Sequence, residues 1–221
     1  MNLWIKICGT ASLKDALLAA DAGADAVGFV FAPSPRRVTA NMVATIAPQM
    51  PEQVEKVGVF VDATLDEIGT IAHACRLTGV QLHSECNAEL PARLKQDFGS
   101  DFRVLRVVHF SEDAVRQTIA IDGDPNVDAI LIDSRTAGAI GGTGVAFDWN
   151  AARASVFQSG QARKPRIAAG GLNPANVSDA IAMLRPWGVD VVSGVEAAPG
   201  RKDPDKVRTF IANARAASRN L

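Results

Sequence analysis

The stretch WIKICGT, residues 4–10, ends a short apolar run on a cysteine and a glycine. Side chains alternate along a strand, so a Cys8 that faces inward takes Trp4 and Lys6 with it and leaves Leu3, Ile5 and Ile7 on the opposite face. A thiol at a strand tip is a candidate base, because its ordinary pKa of about 8.5 needs only a modest downward shift for ionisation near pH 7. Lys6 would lie one pleat, about 7 Å, below it. A buried ammonium there needs a partner and could help hold a thiolate. The run AILIDS, residues 129–134, offers the complementary group: the same alternation turns Asp133 inward with Leu131 and turns Ile130 and Ile132 outward. Gln81, Arg106 and Asp190 are further inward candidates, with Asp190 the expected partner for Lys6.

Two late stretches carry glycines where strands end, AAGGLNP (168–174) and SGVEAAPG (193–200). Gly170, Gly171, Ser193 and Gly194 would line backbone amides that suit a phosphate group, since glycine permits close approach and unpaired N–H groups point at the anion. The insert RTAGAIGGTGVAFDW, which contains Gly142, reads as a glycine-rich loop that covers or shapes a site. His83 faces inward by parity and suits a structural role as well as a substrate contact. His73 and His109 read as polar surface. Of the other thiols, Cys75 falls on an apolar helix face and Cys86 in a surface loop; none of the three forms a paired metal-ligand spacing, so no metal is expected.

These groups must be positioned by a repeating framework. Short β-branched runs at 3–8, 25–31, 55–61, 79–83, 102–108, 129–134, 166–171 and 189–194 alternate with helical patterns. Ser12, Asn173 before Pro174, and Asp203 before Pro204 are helix-start signals, while Gly23 and Gly79 read as helix stops. Leu65, Ile68, Ile71, Ala72 and Cys75 recur at helical spacing. Eight βα units without a long linker predict an α/β chain folded as a single (βα)8 TIM barrel over residues 1–221. A doubly wound sheet for a dinucleotide should show G-x-G-x-x-G after its first strand, where this chain reads CGTASL. In a barrel the reactive face lies where strands end, so Cys8 and Asp133 would meet at the mouth.

Twenty-three basic and 24 acidic side chains leave a net charge of −1 with no basic cluster, which argues against nucleic acid. The longest apolar region, ALLAADAGADAVGFVF, is broken by Asp21 and Asp25, so no membrane span or signal peptide is expected. The reading is a cytoplasmic protein, monomer or homodimer, with a small phosphorylated partner and no cofactor.

Taken together, KICG (6–9), GFVFAPSPR (28–36), VGVFV (57–61), QLH (81–83), ID (132–133), GGTG with FDW (141–149), AGGLNP (169–174) and VDVVSGVEAAPGRKD (189–203) resemble the phosphoribosylanthranilate isomerase family of tryptophan biosynthesis. The pieces run through the whole chain in the family's order. The resemblance implies an Amadori rearrangement of N-(5-phosphoribosyl)anthranilate to 1-(2-carboxyphenylamino)-1-deoxyribulose 5-phosphate. It makes Cys8 the general base at the sugar C2, Asp133 the general acid at the ring oxygen, and Arg36 the binder of the anthranilate carboxylate. It also makes the loops after strands seven and eight the phosphate site. An acid that opens a furanose at neutral pH should have its pKa raised from about 4, which is the expectation for Asp133. Two departures stand out: Ser84 replaces the family's glycine after QLH, and a shorter FAPSPRR makes Arg37 an alternative to Arg36. The competing readings are a histidine-pathway Amadori isomerase, against which Cys8 argues, and a non-catalytic barrel that binds a phosphorylated ligand.

Overall fold

A computed structural model describes residues 3–83, 89–133, 149–158 and 162–219. Eight strands run parallel: β1 (Trp4–Ile7), β2 (Ala26–Val30), β3 (Glu55–Phe60), β4 (Gly79–Leu82), β5 (Arg103–His109), β6 (Ala129–Asp133), β7 (Arg166–Ala169) and β8 (Gly188–Val191). Each pairs with the next, and β8 pairs back onto β1, so the sheet closes. Around it lie α1 (Leu13–Asp21), α2 (Ala40–Ile46), α3 (Leu65–Cys75), α4 (Leu90–Phe98), α5 (Ala114–Asp122), α6 (Trp149–Ala152), α7 (Val177–Leu184) and α8 (Pro204–Ser218). After β8 a small antiparallel hairpin, β9 (Glu196–Ala198) with β10 (Arg201–Lys202), precedes α8. Ser134 to Asp148, the stretch with Gly142 and most of the insert, lies outside the described residues, as do Ser84 and Cys86.

The strands are apolar on both faces because both are covered. Ile5, Ile7, Val27, Phe29, Val80, Leu82, Ile130 and Ile132 join the cluster under the helices, whereas Trp4, Ala26, Val57, Leu105, Leu131 and Ile167 form a separate cluster inside the barrel. The split follows the predicted alternation on β1 and β6. It corrects the expectation for β5: Leu105 and Val107 take the interior positions, so Arg106 points to the helix side and His109, two pleats beyond Leu105, shares the inward parity.

One end of the cylinder is plugged. The rings of Trp4 and Trp187 stack with centroids 5.4 Å apart, and Arg103 sits 5.6 Å over Trp187 while its Nε lies 2.7 Å from Glu55. These groups come from the starts of β1, β3, β5 and β8, so a ligand has to use the other rim, where the strands end.

Helix ends mostly obey the residues that mark them. The Ser12 hydroxyl accepts the Asp15 amide, and the Asp203 carboxylate accepts those of Asp205 and Lys206. Two expectations are corrected. α3 ends at Arg76, in the left-handed conformation at φ 49°, and Gly79 is instead the first residue of β4. Glycine is needed there for close approach: a Cβ would lie 2.6 Å from the Arg103 carbonyl oxygen. Asn173 caps a turn, accepting the Ala175 and Asn176 amides, and α7 starts only at Val177.

Candidate active site

The interior polar layer is built by register. Lys6 on β1 lies beside Asp190 on β8, and the Lys6 Nζ is 2.9 Å from the Asp190 carboxylate. The same ammonium donates to the Gln81 side-chain oxygen across the barrel. Lys6 is 0% exposed. Burial works against its charge, yet Asp190 and Cys8 outweigh burial and hold the ammonium above its ordinary value.

Cys8 follows β1 directly, with its amide bonded to the Val191 carbonyl at 2.9 Å and its own carbonyl accepting from the Lys202 Nζ at 2.6 Å. Gly28 on β2 makes room for the thiol: a Cβ at this position would stand 2.5 Å from the sulfur and 3.0 Å from the Lys6 Cε. Burial pushes the thiol up, Lys6 pulls it down, Asp190 adds to the rise and Lys202 opposes it, and the balance lies above the ordinary value. The expected downward shift is therefore corrected. The physical reason is that the loss of water around the sulfur is the largest effect, and Asp190, paired with Lys6, offsets part of the pull that the lysine exerts.

Asp133 ends β6 at 2% exposure, with the inward parity of Leu131. Its neighbour in register is His109 on β5, whose ring lies 4.9 Å from that of His83 at the end of β4. The structure thus groups His83 and His109 beside the strand end that carries Asp133. The His109 Nδ1 is shielded from solvent and has no hydrogen-bond partner among the described residues. The sequence does not single out His109, because its facing follows from the parity of β5, which apolar residues on both faces leave open. His73 is exposed on α3, as expected, with its ring centroid 4.5 Å from that of Phe98 on α4.

Arg36 lies in the loop after β2, and its stem crosses Gly9, where a Cβ would meet the Arg36 Cδ at 2.7 Å. Its Nε and Nη2 grip the carboxylate of Glu196 at 2.8 Å and 2.7 Å. Arg37 is exposed, whereas Arg36 is half-buried with its stem against Gly9, the residue after the thiol. Glu196 is held below the usual carboxylate range: burial alone would raise it, but the hydrogen bonds from Arg36 and the charge of Lys202 prevail. Glu196 and Lys202, both in the hairpin after β8, are not singled out by the sequence, because their pairing with Arg36 depends on the fold.

On the same rim, Gly170 and Gly171 take φ values of 83° and 66°, which favour glycine. Ser193 opens a single 3-10 turn, Ser193–Val195, directly after β8. Gly194 nests so closely under the preceding loop that a Cβ would lie 1.9 Å from the Leu172 carbonyl oxygen. Close nesting brings the two glycine stretches together in one wall beside Cys8, which sits on the strand next to β8. Among the described residues, no group of three His, Cys, Asp or Glu side chains is gathered as a metal ion would require.

The N-(5'-phosphoribosyl)anthranilate (PRA) isomerase family model matches residues 5–213. A protein of Citrifermentans bemidjiense named N-(5'-phosphoribosyl)anthranilate isomerase is 42% identical over 212 residues, which cover 96% of each chain. Among solved structures, phosphoribosyl anthranilate isomerase from Thermotoga maritima superposes with a TM-score of 0.85 at 38% identity, covering 97% of this chain and 99% of its own. A phosphoribosyl anthranilate isomerase in complex with reduced 1-(o-carboxyphenylamino)-1-deoxyribulose 5-phosphate gives 0.82 at 35% identity, with coverage of 97% and 99%. On the strength of this agreement along its whole length, the chain belongs to the N-(5'-phosphoribosyl)anthranilate isomerase family.

Proposed function

We propose that Cys8 is the general base and Asp133 the general acid of an Amadori rearrangement that converts N-(5-phosphoribosyl)anthranilate to 1-(2-carboxyphenylamino)-1-deoxyribulose 5-phosphate. The chain is an isomerase of tryptophan biosynthesis, as its family membership gives it. The observation that carries the assignment of roles is the placing of a buried thiol and a buried carboxyl at the same, unplugged rim of the barrel.

Asp133 gives its proton to the furanose ring oxygen as the C1–O bond breaks and the nitrogen lone pair forms an iminium. The Cys8 thiolate then takes the C2 proton, and the electrons of that C–H bond neutralise the iminium to leave an enamine. Tautomerisation of this enol-amine gives the ketose. The iminium offers a positive charge next to the sulfur, which favours the thiolate just when it is needed and offsets the upward push of burial. Arg36 binds the ring carboxylate. Gly170, Gly171, Ser193 and Gly194 hold the phosphate through backbone amides, and Gly142, outside the described residues, is assigned to substrate binding. His83 contacts the sugar. We read residues 1–221 as one catalytic barrel domain acting in the cytoplasm.

The test is turnover of freshly made phosphoribosylanthranilate, followed by loss of its fluorescence, beside the histidine-pathway substrate. Turnover of the first and not the second is expected. Turnover of the second alone, or of neither, would overturn the assignment.

A further inference from the structure

Glu196 is an unusual companion for a residue that must bind a carboxylate. It is 7% exposed, it belongs to a two-stranded hairpin outside the barrel, and it occupies the Nε–Nη2 edge of Arg36 with a two-point grip. Its Oε1 also faces the Lys202 Nζ at 3.3 Å and accepts the Gly200 amide at 3.2 Å. Lys202 is 3% exposed, and its ammonium donates to the Cys8 carbonyl at 2.6 Å and to the Val192 carbonyl at 3.2 Å. Its amide donates to the buried Asp15 carboxylate at 3.2 Å, and the Lys206 ammonium donates to the Glu196 carbonyl at 2.9 Å. Arg36, Glu196 and Lys202 together leave one uncompensated positive charge at this corner of the rim. That surplus suits an anion, and the unused edge of a guanidinium already locked in plane suits a planar one.

We propose that Glu196 is a positioning residue for Arg36, and that by sharing its carboxylate with Lys202 it ties recognition of the substrate's ring carboxylate to the strand end that carries Cys8. The proposal rests on the functional reading above. A free arginine in a loop would have to lose its rotamer freedom on binding each substrate molecule. Glu196 removes that cost beforehand, which is preorganisation of the binding fork. It also fixes which edge remains open, so selectivity for a carboxylate ortho to the amine becomes a property of Glu196 as much as of Arg36. Lys202 supplies the mechanical link, because the same ammonium that faces Glu196 holds the Cys8 carbonyl.

The experiment compares two substrates, phosphoribosylanthranilate and phosphoribosylaniline, which lacks the carboxylate, in the wild-type enzyme and in Glu196→Gln, Arg36→Met and the double variant. Glu196→Gln should raise KM for the carboxylate substrate by roughly tenfold or more, with kcat and the KM for the aniline substrate changed by less than about threefold. In the Arg36→Met background the same substitution should add less than about twofold, since it then has no fork to position. Equal losses with both substrates, or additive losses in the double variant, overturn the proposal. If Glu196→Gln does not fold, Glu196→Asp decides by the same comparison; failure of both to fold would make Glu196 purely structural and overturn the proposal too. Absence of turnover in the wild type would instead refute the functional reading itself.

Discussion

Replacing Asp190 with asparagine removes the counter-ion of a lysine that has no access to water. The Lys6 ammonium lies 2.9 Å from that carboxylate, a gross attraction of about 6 kcal/mol at an effective dielectric of about 20. Part of it is recovered by the amide that replaces the carboxylate and by the Gln81 oxygen that already accepts from Lys6. Removing one partner of a buried pair typically costs about 3–5 kcal/mol, because the other charge is stranded. Asp190→Asn should therefore lower the free energy of unfolding in urea by about 3–5 kcal/mol, or the melting temperature by roughly 6–20 °C for a chain of this size. Substituting both members, Lys6→Met with Asp190→Leu, should restore most of that loss, since a well-packed apolar pair often replaces a buried ion pair at little cost. The active site gives a second readout. Asp190 adds to the upward push on Cys8, so its loss leaves the thiolate as the natural partner of Lys6 and moves the Cys8 titration to lower pH. A stability loss below about 1 kcal/mol, strict additivity in the double variant, or a Cys8 titration moved upward would refute the reasoning.

Two further outcomes follow from the same geometry. Because the base must be deprotonated and burial raises the Cys8 thiol, kcat/KM should climb with pH beyond the ordinary thiol range of about 8.5, whereas kcat should level off at lower pH once the substrate's iminium faces the sulfur; a pH–rate series with the two parameters separated checks the order. Gly28→Ala puts a methyl group 2.5 Å from the Cys8 sulfur, and should cut kcat by about a hundredfold at an overpacking cost of about 1–3 kcal/mol, read by single-turnover kinetics beside a thermal melt.

How far the residues alone reach depends on whether one face differs from the other. On β1 a single lysine and a cysteine two positions apart settle the parity, and the Lys6–Asp190 pair follows from it. On β5 both faces of RVLRVVH carry apolar residues, so nothing in the run says whether Leu105 or Arg106 is interior, and the facing of His109 stays open with it. Gly79 resembles a helix stop, but backbone crowding against Arg103 is what requires it, and that neighbour is 24 residues away. The direction of the Cys8 shift was equally hidden, because it depends on how Asp190 and Lys6 share one field inside a closed space. The Glu196–Lys202 corner needs a hairpin 160 residues from Arg36 to fold back onto that arginine, a juxtaposition that no local pattern announces.

The sharpest measurement is the kcat/KM for phosphoribosylanthranilate of purified Cys8→Ala and Asp133→Asn, with circular dichroism to verify the fold. Each substitution removes a proton-transfer group while hardly changing packed volume, so each should lower kcat/KM by about 10²–10⁴-fold in a folded barrel. A folded variant of either kind that retains turnover within about tenfold of wild type would contradict the role given to that residue and, with it, the acid–base pair at the barrel mouth.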